Sequence, residues 1–296
     1  MIISAKDCWS KAKSKHNTYF NSSVTAARDA LKNELPLYLY DFLVTNHDKI
    51  RDGNENSFRL IHKEYSLLRD KMDKATKDSV DKNLGKIFNY DLFCDITVKR
   101  WSAYKLCEEL NILTCPYCNL SYGHTITREK KGGIRPSLDH FFDKATHPLF
   151  AISLNNLVPS CHHCNSSLKG SVDFRVTRHL NPMLNAESIK ISLNVDPVDG
   201  RKDLTLFDSA KIILEYDLSD PRCVNSVKTF LLAERYALLV KEARLIAKHM
   251  VTVSTGGDFD SQHIEWALRG VSSDNYRDRI LGKMIRDLSA KYLARA

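Results

Sequence analysis

A chain of 296 residues with 43% hydrophobic and 27% charged side chains is long enough to bury a substantial core, in two or three compact units. No apolar run approaches the roughly eighteen residues of a membrane span, and the start, MIISAKDCWSKAKSK, lacks the apolar core of a signal peptide; a cytoplasmic protein is expected. The net charge is +8, and residues 111–180 alone carry 8 basic against 4 acidic groups, so a polyanionic partner suits this stretch better than the rest.

Taken in chain order, the first hundred residues predict helices. In SVTAARDALKNELPLYLYDFL the helical pattern is expected to break at Pro36. In SFRLIHKEYSLLRDKMDKA, Ile61, Tyr65, Leu68 and Met72 recur at helical spacing. From about residue 100 the texture changes to cysteine, histidine, asparagine and glycine, and EKKGGIRPS reads as a hairpin or loop. IKISLNV, LTLF and KIILEY then read as strands. Toward the end, Leu232, Tyr236, Leu239, Ala243, Ile246 and Met250 form one apolar helical stripe, and SDNYRDRILGKMIRDLSAKYL predicts a closing helix. The expected fold class is α+β: a mostly helical protein around a central metal-stabilised module. Its expected parts are a helical N-terminal region (1–108), the module (109–182), a short β region (183–220) and a helical C-terminal region (221–296).

Of the eight cysteines, Cys8, Cys94, Cys107 and Cys223 read as single buried thiols. The other four form two C-x-x-C pairs, CPYC (Cys115, Cys118) and CHHC (Cys161, Cys164), which together predict one four-thiolate zinc site. The pairs are separated by 42 residues. The extra loop length costs only about 0.7 kcal/mol, against roughly 10–16 kcal/mol from structural zinc. His162 and His163 are alternative ligands, although four thiolates already complete the shell.

The intervening loop carries SLDHFFDKATHPLFAISLNNLVPS, and the second pair continues as CHHCNSSLKG. Asp139 and His140 are adjacent near the end of a plausible strand. Adjacent strand residues face opposite ways, unless a strand end or bulge brings both to one cleft. Lys169 follows Asn165 by four positions, on one face of a helix that starts near Cys161.

The two cysteine pairs, the "DH", the "NL" before the second pair and the "CN…LKG" after it resemble the HNH endonuclease superfamily, the ββα-metal fold in its four-cysteine form. The likeness covers about residues 112–170. It implies a metal-dependent nuclease that hydrolyses phosphodiester bonds and leaves 5′-phosphate and 3′-hydroxyl ends. His140 matches the general base, while Asp139 and Asn165 match the ligands of a catalytic Mg2+ or Mn2+. Asn156 matches the asparagine that braces the loop carrying the base, with Asn155 the adjacent alternative. Lys144 and Lys169 are candidate phosphate contacts; His147 could orient the site or contact phosphate, with a structural histidine the favoured reading. Asp143 departs from the pattern, since a proline is common at that place.

WSAYKLCEELNILTCPYCN, NSVKTFLLAERYALL and GKMIRDL also resemble the HNH subunits of Septu-type anti-phage systems, some of them retron-associated. That likeness implies an ATPase partner and a defence role. DNA is the expected substrate, and RNA, including transfer RNA, remains the alternative. Two other readings stay open: a zinc module that binds nucleic acid without cutting it, and an interaction subunit stabilised by zinc.

Overall fold

The computed structural model describes residues 2–95, 100–128, 132–196, 203–254, 271 and 275–293. Among the described residues, seven α-helices come first: α1 (Lys13–Ala30), α2 (Leu37–Thr45), α3 (His47–Asp52), α4 (Glu55–Asp70), α5 (Lys74–Ile87), α6 (Tyr90–Cys94) and α7 (Ala103–Glu108). The chain signals their boundaries locally. Pro36 sits just before α2, and the side chains of Asn54, Asp73 and Asn89 accept a first-turn N–H at the starts of α4, α5 and α6.

Three antiparallel pairs of short strands follow: β1 (Ile126–Arg128) with β2 (Gly132–Ile134), β3 (Ser137–His140) with β4 (Leu157–Ser160), and β5 (Lys190–Leu193) with β6 (Ile212–Glu215). Between the second and third pairs runs a wide-turn helix, His163–Lys169. It closes at Gly170, whose φ of 48° lies in the left-handed region and whose N–H reaches back to Asn165 O at 3.0 Å. The C-terminal region holds α8 (Pro221–Thr229), α9 (Leu232–Ala237), α10 (Val240–Ser254) and α11 (Gly282–Tyr292). The fold is α+β, mainly helical with small hairpins.

Two expectations change. LTLF is not a strand: Leu204–Ser209 is a 3-10 helix, because the Asp203 carboxylate accepts the Thr205 N–H and turns the chain. The late apolar stripe is split between α9 and α10 by a turn at Leu238 and Leu239, leaving Leu238 83% exposed. Residues 129–131 of the predicted loop and 273–274 of the closing segment lie outside the described residues. Among the described residues, no helix is long and apolar enough to cross a membrane.

The N-terminal helices hold the β3–β4 hairpin and its loop, and the C-terminal helices hold the CPYC turn. From the N-terminal side, Trp9 Nε1 donates to Leu157 O at 3.0 Å, His16 Nε2 bonds Ile152 O at 2.8 Å, and Ser153 Oγ donates to Ile50 O at 2.6 Å. Phe58 packs 4.3 Å from Phe150, ring centre to ring centre. From the C-terminal side, Tyr236 donates to Cys118 O at 2.8 Å, and Phe230 stacks on Tyr117 at 4.3 Å. Asn119, at φ 54°, donates to Arg279 O and accepts the Lys283 N–H at 2.8 Å, which fixes the start of α11 on the cysteine turn. One apolar core runs through all these segments.

Candidate functional site

The ligand atoms of Cys115, Cys118, Cys161 and Cys164 lie within 4.8 Å of one another, and Cys118 Sγ is 4.0 Å from Cys161 Sγ. That is far beyond a disulfide bond, and all eight cysteines are free thiols. It is close to the roughly 3.8 Å between sulfurs that a tetrahedral ion with Zn–S bonds of about 2.3 Å requires. The chemistry fits as well. The Leu120 N–H points at Cys118 Sγ and the Cys164 N–H at Cys161 Sγ, while the Arg235 guanidinium lies 3.4 Å from Cys164 Sγ. Donors and a positive charge are therefore aimed at sulfurs that zinc would hold as thiolates. His162 and His163 are exposed and stand outside this cluster. Cys8, Cys107 and Cys223 are buried, and Cys94 is half-buried.

β3 and β4 pair in regular register from Ser137↔Ser160 to His140↔Leu157, and the ladder continues with Phe141 N on Asn156 O. No bulge intervenes, so Asp139 and His140 point to opposite faces of the hairpin. Asp139 is 1% exposed. Its Oδ1 lies 2.9 Å from Lys169 Nζ, and its Oδ2 accepts the Tyr117 hydroxyl at 2.6 Å. Burial, reinforced by this carboxylate, raises the Tyr117 phenol well above its ordinary value, so it remains a donor. Lys169, 3% exposed, also donates to the His140 carbonyl at 2.8 Å. The wide turn thus carries Lys169 inward, away from any exposed phosphate path, while Asn165 stands half-buried one residue past Cys164.

His140 occupies the other face and is 9% exposed. Its Nε2 is 2.9 Å from Ala151 O, and the Tyr90 ring meets it edge-on at 4.4 Å. A carbonyl only accepts, so Nε2 carries the hydrogen and the neutral ring keeps its lone pair on Nδ1. Burial pushes the His140 pKa down to about 4, against the opposing pull of the Ala151 bond, so the ring is unprotonated at neutral pH. Lys144 is exposed, 3.2 Å from Asp91 and 4.7 Å from the Tyr90 ring centre, on the same side as His140.

The loop between these strands is fastened by Asn156. Its Oδ1 accepts the Phe142 N–H at 2.7 Å, and its Nδ2 donates to Phe142 O and Phe150 O, each at 3.0 Å. Asn155 instead donates to Gly53 O at 3.0 Å and ties the loop to the end of α3. Asp143 spends Oδ2 on the N–H groups of Ala145 and Thr146, closing its own turn. His147 is buried with Nδ1 3.0 Å from His62 Nδ1, and burial lowers its pKa to about 4. His179 stacks on Phe174, and His124 on Tyr122.

Three neighbours of the site carried no signal in the sequence: Tyr117, hidden inside the CPYC turn, Tyr90 on a distant helix, and Arg235 beside the sulfurs. A divalent cation bound through a carboxylate needs that carboxylate's oxygens at close range. Both Asp139 oxygens are engaged and enclosed, so the residues assigned to such a cation do not fit it as they stand. Compared with the sequence profiles of known families, with curated proteins and with solved structures, the chain matches none.

Proposed function

We propose that this chain is an HNH-type nuclease that hydrolyses phosphodiester bonds, with His140 as the general base. The observation that carries the reading is the order and geometry of the module. An antiparallel β3–β4 pair leads into a short helix clipped by four cysteines, and His140 stands at the strand end with Nε2 tied to a carbonyl.

In this reading, Nδ1 takes a proton from an attacking water as the new P–O bond forms, and the P–O3′ bond breaks with the leaving 3′-oxygen taking a proton from solvent water. Positioned bases of this kind contribute about 10²–10⁴ in rate. Asn156 holds the loop so that Ala151 O stays aimed at Nε2, which keeps the tautomer and ring orientation fixed. Lys144, exposed over the Tyr90 ring, is the proposed phosphate contact. Cys115, Cys118, Cys161 and Cys164 would hold a zinc ion that stabilises the turns and takes no part in the reaction. DNA is the proposed substrate and an ATPase subunit of a defence complex the proposed regulator; both rest on the sequence resemblance.

One observation favours a second reading, a zinc module that binds nucleic acid without cutting it: the Asp139 carboxylate is closed off by Lys169 and Tyr117. Incubation with supercoiled plasmid and with total cellular RNA, in Mg2+, Mn2+ or EDTA, separates the two. Cutting of either polymer supports the nuclease. Salt-sensitive binding without cutting, in the presence of the partner as well as alone, supports the module.

A further inference from the structure

The Lys169 ammonium sits between Asp139 Oδ1, at 2.9 Å, and the His140 carbonyl, at 2.8 Å. It is also 5.1 Å from the centre of the Phe174 ring, and both partners of the ion pair are almost wholly buried. A carboxylate this deep must have a positive partner, and a single lysine supplies it. We propose that Lys169 is a resident cation that closes Asp139 to divalent metal, so that a metal ion reaches this carboxylate only when Lys169 leaves. The inference rests on the nuclease reading for its importance but not for its test.

The physical basis is exclusion. A hard dication binds carboxylate oxygens at about 2.0–2.1 Å with near-octahedral demands on its shell. An ammonium already bonded to Oδ1 occupies that approach and repels a second positive charge, and the Tyr117 hydroxyl holds Oδ2. Asn165 and Lys169 share one wide helical turn, closed by the Gly170 N–H on Asn165 O. Asn165, which the resemblance assigns to the same ion as Asp139, therefore lies on the turn that carries Lys169. Wide turns of this kind recur where a helix is built to do something other than persist.

The test is Mn2+ binding to the full, zinc-loaded chain without nucleic acid, read from loss of the free Mn2+ resonance signal. Wild type and Asp139→Asn are expected to bind Mn2+ equally weakly. Lys169→Met, which keeps the stem against Phe174, is expected to gain a site at least about tenfold tighter, and the gain should vanish in Lys169→Met/Asp139→Asn. Zinc content and circular dichroism report folding. A Lys169→Met protein that folds and binds no better than wild type overturns the proposal. So does wild type that binds Mn2+ in the micromolar range through a site lost in Asp139→Asn, a result that needs no lysine variant. Cleavage is not read, so a chain that never cuts would sink the nuclease and leave this inference standing.

Discussion

On one face of β3 the Asp139 carboxylate is closed in by a lysine and a tyrosine; on the other, the His140 imidazole is tied at one nitrogen while the second has no partner among the described residues. The two side chains are neighbours in sequence, yet only the imidazole is proposed as a reagent. Asp139 joins the strand to the wide-turn helix and, through Tyr117, to the cysteine turn, so its charge works as structure. The imidazole loses its charge to burial instead and keeps a lone pair. Adjacent residues thus do opposite jobs because an uninterrupted ladder sends them to opposite faces.

The largest effect expected lies beneath both faces. The four cysteines are proposed to hold zinc, so removing it with a chelator should take away roughly 10–16 kcal/mol, comparable with the whole stability of a domain, and Cys164→Ser should take away part of it. Cys118 and Asn119 anchor the C-terminal helices, so circular dichroism should show cooperative loss of helix along with loss of zinc. Unchanged helix in zinc-free protein would separate the knuckle from the fold.

On the Asp139 face, Lys169→Ala or Asp139→Ala should each cost about 3–5 kcal/mol in urea unfolding, because each strands a buried charge, while Lys169→Met/Asp139→Leu should recover most of it. Equal losses in the single and double variants would mean that packing, not charge, dominates. Asn156→Ala leaves three backbone groups of the loop without their partner and should cost about 2–3 kcal/mol, with cutting reduced in step.

The His140 face should show itself through pH. His16, His140, His147 and His179 all have pKa values lowered by burial to about 4. The unfolded chain takes up protons near pH 6.5 and the folded chain only near pH 4, so stability is full above 6.5 and declines as pH falls toward 4. Each histidine adds up to about 1.4 kcal/mol per pH unit to that slope. His140→Gln should flatten it by one such share in urea titrations between pH 6.5 and 4; an unchanged slope would show that His140 charges freely in the folded state.

Much of this arrangement was legible in the sequence because its causes are local. Two C-x-x-C turns announce a metal cluster whatever lies between them, and Pro36 marks the start of α2, although α1 has already ended at Ala30. Side-chain direction was harder to read. The separation of Asp139 from His140 depends on the ladder running unbroken to Leu157, a partner seventeen residues away. Lys169 reads as a phosphate contact when its spacing from Asn165 is laid on an ordinary helix; the wide turn buries it. Tyr117 could not be singled out, since only the folded hairpin brings Asp139 to it. The LTLF stretch misled because its alternation is strand-like while Asp203 caps a turn.

The most direct measurement is the cleavage rate of His140→Ala beside wild type, at equal zinc content and on whichever nucleic acid wild type cuts. The account predicts a loss of at least about 10² in rate with zinc bound and the fold intact. Cutting at the wild-type rate would contradict it and remove His140 from the chemistry.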